Sequence, residues 1–192
     1  MIANDKPIHM VLPGFPAKSP NLNKVLGKHP DKGEQLALCF LNNMCDSIQS
    51  LYPPGAKITI CSDGHVFADL VQVADGDVDS YNKEIANIIK HEKFNNLDMF
   101  GLWNIFGDAN SETKLKKFIN ECTQSHDDIK QLIKNTPREL AMFNGIEKFL
   151  LEDFLYLEPT KSKNSLRKKA HELTYSVIHM LVIPFIPSPL PL

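Results

Sequence analysis

The stretch KITICSDGHVF, residues 57–67, decides the fold. Lys57 to Cys61 is rich in β-branched side chains and reads as a strand. Ser62-Asp63-Gly64 follows as a turn, with Val66, Phe67, Leu70 and Val71 packing beyond it. Upstream, Ile8 to Leu12 is a second apolar run, stopped by Pro13, and reads as a buried strand. Between the two runs lies a helix. Asp31 and Glu34 have the spacing of a capping box, and Ala37, Phe40, Leu41, Met44, Cys45, Ile48 and Leu51 recur at helical intervals up to Pro53-Pro54-Gly55.

Working outward, Asp77 is placed to cap a further helix with Val78, Tyr81, Ile85, Ile88 and Ile89 on one face. Leu97 to Phe106 holds a candidate third strand. Thr113–Cys122 and Asp127–Ile133 read as short helices, and the charged segment Ser111–Ser125 as a peripheral insertion. Thr136-Pro137-Arg138-Glu139 starts a helix running to about Tyr156. Lys163 to about Ile178 is the last. Strands alternating with helices predict an α/β domain with a parallel or mixed sheet flanked by helices.

The chain has 192 residues, with 21 Lys+Arg against 23 Asp+Glu, a net charge of −2. That balance argues against a nucleic-acid binder. Cys39, Cys45, Cys61 and Cys122 form no C-x-x-C pair, so free thiols are expected rather than zinc. The N-terminus lacks the apolar core of a signal peptide. Met180–Leu192 is too short to span a bilayer and is broken by proline. These features predict a soluble, cytoplasmic protein with no membrane partner. There is no G-x-G-x-x-G, Walker loop, H-x-x-x-H or G-x-S-x-G, and so no sign of nicotinamide, ATP or metal.

Parallel strands joined by crossovers bring their carboxyl ends to one edge, where open α/β sheets bind ligands. Two segments leave that edge: the loop Gly14–Gly27 and Ser62–Phe67. Lys18, Ser19, Asn21, Asn23 and Lys24 are therefore expected to approach Ser62, Asp63 and His65. Ammonium groups suit phosphate, and amides and hydroxyls suit a sugar. Lys18 is also a Schiff-base candidate if burial depresses its pKa. Asp63 is a candidate proton carrier, with an Asx-turn as the competing reading, and His65 a candidate acid or phosphate contact. Cys61 reads as an inert packed thiol. Glu152 and Asp153 point about 100° apart on a helix, so they do not form one carboxylate pair. Lys161, Lys163, Arg167, Lys168 and Lys169 read as a solvated basic face.

LPGFPAKSPNLNKVLG (12–27) and YPPGAKITICSDGHVFADLV (52–71) resemble two signatures of the isocyanide synthases, the pyoverdine/dityrosine biosynthesis family. MFNGIEKFLLEDF (142–154) and TKSKNSLRKKAHELTYSVI (160–178) are similar to its later helical segments. The resemblance implies a modified Rossmann-like domain over residues 7–178, followed by a proline-rich apolar tail, 179–192. It implies conversion of the α-amino group of tyrosine or tryptophan into an isocyanide, with ribulose 5-phosphate as carbon donor. No metal or redox cofactor is implied, and a downstream Fe(II)/2-oxoglutarate oxygenase is the implied partner.

Placed on these residues, that chemistry assigns Lys18 and Asp63 as catalytic. Ser19, Asn21, Lys24, Ser62, Gly64 and His65 become substrate-binding. Two departures stand out. The family shows Arg after Ser-Asp-Gly, where this chain has His65. An Arg-Ser-x-x-Trp-like continuation gives way after Ile178 to HMLVIPFIPSPLPL, so the sheet is expected to be incomplete at the C-terminus. The alternative reading is a truncated, non-catalytic fragment that binds sugar phosphate or a partner.

Overall fold

The computed structural model describes residues 5–62, 64–101 and 126–182. The elements are β1 (Ile8–Pro13), α1 (Lys32–Leu51), β2 (Ala56–Ser62), α2 (Gly64–Val71), α3 (Asp75–His91), β3 (Leu97–Gly101), α4 (His126–Asn135), α5 (Pro137–Leu157) and α6 (Lys163–Val182). The three strands form one parallel sheet in the order β1-β2-β3. This is the expected α/β class. The expected helix over 113–122 and the insertion over 111–125 lie outside the described residues.

The chain divides into two units, one holding the sheet and one holding α4 to α6 together with residues 70–72. In the first, Leu38 and Cys45 of α1, Ile58 and Ile60 of β2, Tyr81 and Ile85 of α3 and Leu97 of β3 form a buried core, with Ile8, Met10 and Leu12 against it. Only one parity of β1 faces that core. His9 and Val11 point away, Val11 being 64% exposed. The expectation of a buried strand is thus met on one face and corrected on the other: the pleat sends alternate residues to opposite faces.

Helix α1 starts as its sequence dictates. The Asp31 carboxylate accepts from Gly33 N at 2.7 Å, and Glu34 accepts from Asp31 N at 2.8 Å. Its buried face is narrower than the periodicity suggested. Phe40 is 69% and Leu51 88% exposed. At about 100° per residue, Phe40 stands on the side opposite Leu38, and Leu51 is the helix's last residue. Asp77 is not the cap of α3: the helix begins at Asp75 after Ala74, and Asp77 lies in its first turn, where a carboxylate still favours the helix dipole.

In the second unit, α5 begins after Thr136 with Pro137 at its first position, but Thr136 makes no side-chain cap. Helix α6 extends to Val182, past the expected end near Ile178. Phe154, Leu150, Leu166 and Ile178 are fully buried. Of the adjacent pair on α5, Asp153 is buried and Glu152 exposed, as their angular offset requires.

The basic cluster around the start of α6 is partly used. Glu158 pairs with Lys161 and, at 2.5 Å, with Lys169, and accepts from Gln72 at 3.1 Å. These hydrogen bonds, Lys161's first, pull the Glu158 carboxyl down to about 2. A depressed folded pKa stabilises above the ordinary value of 4.5, and that contribution disappears as the pH falls toward 2. Glu158→Gln is therefore expected to lower the urea midpoint at pH 7, with the gap to the native chain closing between pH 4.5 and 2.

Candidate active site

Parallel pairing brings the ends of β1 and β2 together, Pro13 opposite Cys61. The loop leaving β1 docks at once: Gly14 donates its N–H to the Cys61 carbonyl at 3.2 Å, and the Ser62 hydroxyl lies 3.2 Å from the Phe15 carbonyl oxygen. The loop thus meets the end of β2, as the topology predicts. Its first residues, Gly14 and Phe15, make these contacts.

Lys18 turns to the start of α1. Its ammonium lies 2.5 Å from Glu34 Oε1 and 3.0 Å from Asp31 Oδ2, and its side chain is 11% exposed. The Tyr81 hydroxyl donates to the same Glu34 oxygen at 3.4 Å. Burial alone would pull the Lys18 pKa down, but the hydrogen bonds and charges of Glu34 and Asp31 outweigh it and raise it. The depressed pKa on which the Schiff-base expectation depended is therefore not met: Lys18 stays an ammonium. Asp31 is held below its ordinary value, first by the Gly33 N–H and then by Lys18. Burial, and then the Glu34 carboxylate, pushes the Tyr81 phenol far up.

Ser19 and Asn21 brace the loop. Ser19 Oγ accepts from Asn21 N at 3.1 Å, and Asn21 Oδ1 accepts from Asn23 N at 3.0 Å. Asn21 is 4% exposed, whereas Asn23 and Lys24 are exposed. Lys24 donates its backbone N–H to the Asn21 carbonyl. Ser62, expected to meet a ligand hydroxyl, is buried, with Asn82 Oδ1 at 2.8 Å as its second neighbour. Asp63, expected to move protons, lies outside the described residues.

Gly64 opens α2 under the loop: a Cβ there would stand 2.3 Å from the Pro16 carbonyl oxygen. His65 pairs with α3. Its Nε2 lies 2.8 Å from Asp79 and its Nδ1 3.2 Å from Asp75, both on α3. The side chain sits one position beyond Gly64 on a helix, and that turn carries it to the α3 carboxylates. Cys61 is half-buried, and burial is the first cause raising the Cys45 thiol.

Sequence reasoning missed Asn82, Tyr81 as a polar group, and the second role of Asp31 and Glu34. The Asp31–Glu34 spacing marked a helix start, and its acidity beside a lysine-bearing loop was the signal available. Among the described residues, no group of three or more His, Cys, Asp or Glu is placed to hold a metal ion. No helix among them is long and apolar enough to cross a membrane.

Residues 1–181 match the family described as pyoverdine/dityrosine biosynthesis protein. The chain is 44% identical over 177 residues to the L-tryptophan isonitrile synthase of Fischerella ambigua, covering 92% of this chain and 54% of that protein. It is 41% identical over 182 residues to the L-tyrosine isonitrile synthase of Xenorhabdus nematophila, with the same coverage of 92% and 54%. The crystal structure of the PvcA protein from Pseudomonas aeruginosa superposes with a TM-score of 0.88 at 35% identity, covering 96% of this chain and 63% of that one. The chain spans about half the length of the curated relatives it matches.

Proposed function

Because the chain belongs to the pyoverdine/dityrosine biosynthesis protein family, we propose that it is an isocyanide synthase acting on the α-amino group of an aromatic amino acid. The observation that carries this is the Lys18 ammonium, held between Glu34 and Asp31 on the loop leaving the sheet's carboxyl edge, in a chain 44% and 41% identical to synthases named for tryptophan and tyrosine. Ribulose 5-phosphate is the proposed carbon donor. An amine adds to its ketone, and water leaves to give an imine. The departing oxygen must receive a proton.

The Lys18 ammonium suits that donor role. It suits phosphate capture less, because phosphate would compete with two carboxylates already in place. Lys24, exposed on the same loop, is the proposed phosphate contact. Ser19 and Asn21 would orient substrate hydroxyls, Asp63 would take up protons, and Gly64 and His65 would border the ligand. The domain doing this is residues 7–178. An Fe(II)/2-oxoglutarate oxygenase would consume the isocyano acid.

The deciding assay combines the full chain with tyrosine or tryptophan and ribulose 5-phosphate labelled with ¹³C at the ketone carbon. Labelled isocyano acid by mass spectrometry is the expected product. Calorimetric titration with ribulose 5-phosphate, run alongside, identifies the second reading: binding without product. Neither product nor binding overturns both.

A further inference from the structure

The turn that opens the Lys18 loop is strained, and three contacts hold it. Phe15 has a φ of 54°. This is left-handed backbone, unfavourable for a residue with a side chain, and Pro16 behind it favours extended backbone at that position. Such conformations persist only where the surroundings over-determine them. Here Gly14 is tied to Cys61, the Phe15 carbonyl faces Ser62, and the Pro16 carbonyl rests on Gly64.

Ser62 has one proton and two neighbours: the Phe15 carbonyl oxygen at 3.2 Å and the Asn82 side-chain amide at 2.8 Å. The carbonyl can only accept. The amide can accept or, after a half-turn that exchanges its oxygen and nitrogen, donate. With the amide oxygen toward Ser62, the strained carbonyl competes for the single proton. The buried Asn82 Nδ2 then has no hydrogen-bond partner among the described residues. With the nitrogen toward Ser62, one directed chain runs from Asn82 N–H to Ser62 Oγ and from Ser62 O–H to Phe15 O. The group left over is then a carbonyl oxygen, the cheaper one to leave under-satisfied.

We infer that Ser62 is a positioning residue: the Asn82 amide donates to its oxygen, its own proton goes to the Phe15 carbonyl, and it so fixes the left-handed turn from which Lys18 reaches Glu34. Ser62 acts through the loop backbone and does not bind a substrate hydroxyl. The catalytic consequence rests on the proposed isocyanide synthase activity. The loop's order does not.

The test is amide hydrogen exchange of peptide 14–24 in the full chain, with peptide 56–61 as control. Ser62→Ala removes the donor and is expected to speed loop exchange by about tenfold, the worth of one buried hydrogen bond, while the control holds. Asn82→Leu leaves the Ser62 proton on Phe15, so its effect is expected to stay below about threefold. Asn82→Asp can only accept, draws that proton away, and is expected to match Ser62→Ala. A larger effect from Asn82→Leu than from Asn82→Asp, or an unchanged loop in Ser62→Ala, overturns the inference.

If Asn82→Asp does not fold, the order of Ser62→Ala against Asn82→Leu decides it. In turnover, Ser62→Ala is expected to lower kcat about tenfold with KM within about threefold, whereas loss of a contact that binds substrate and transition state equally raises KM with kcat unchanged. A native chain without turnover sinks the proposed function, and the exchange order still decides the positioning role.

Discussion

Gly64→Ala is expected to unseat the loop and lower the melting temperature by about 6–12 °C, taking overpacking at about 3 kcal/mol and about 2–4 °C per kcal/mol at this chain length. The cause is space. A Cβ at Gly64 would lie 2.3 Å from the Pro16 carbonyl oxygen and 2.6 Å from Val78 Cγ1. Neither neighbour can give way cheaply. The first is backbone in a turn already strained at Phe15, and Val78 is fully buried on α3. Relief comes only by moving the loop off the end of β2, which takes the Phe15 carbonyl from Ser62. Loop exchange should therefore rise along with the loss in melting temperature, and turnover should vanish. A variant that melts like the native chain with a protected loop refutes this account of Gly64.

Lys18→Met is expected to reduce turnover by at least about a thousandfold, within the range for a proton-transferring group, with the circular dichroism spectrum unchanged. The methionine keeps much of the stem and leaves Asp31 and Glu34 together without their cation. Lys18→Arg restores the charge but not the compact single-point donor, and is expected to recover stability more fully than rate. The stability loss in Lys18→Met has a defined pH window. Lys18's raised pKa makes the ammonium's contribution complete below the ordinary 10.5 and lost above the folded value. Asp31's lowered pKa makes its contribution present above the ordinary 3.8 and lost as the pH falls through the folded value. The native and variant chains should therefore differ most between about pH 4 and pH 10, and converge outside that range. Retained turnover in Lys18→Met removes the lysine from the chemistry.

The backbone was legible where local chemistry and periodicity agree. The β-branched run before Cys61, the Asp31–Glu34 capping box, the Val78–Tyr81–Ile85 stripe and Pro137 at a helix start each specify an element within a few residues, and the structure has them. Errors arose where a pattern had a second solution. Phe40 fits a helical list yet lies opposite Leu38, and Asp77 looks like a cap yet sits inside the first turn. The site was legible only as a meeting of two segments. Its partners were not, because they are set by tertiary distance: Lys18 to residues 13 and 16 positions away, Ser62 to Asn82 on another helix, His65 to α3. Asn82 falls on the Val78–Tyr81–Ile85 stripe and the exposed Asn87 opposite it, so periodicity points to the burial of Asn82 but not to its partner.

Glu34 closes the capping box on Asp31 N with one oxygen and receives the Lys18 ammonium and the Tyr81 hydroxyl with the other. One side chain thus both caps a helix and places the Lys18 ammonium. This ties evolvability to folding. Positions 18, 31, 34 and 81 form an epistatic set, in which a change that retunes the ammonium also loosens the first turn of α1, and a better helix cap shifts the ammonium. Directed evolution of substrate scope should find its tolerant positions among the exposed loop residues, such as Asn23 and Lys24, and should treat those four as a single unit of variation.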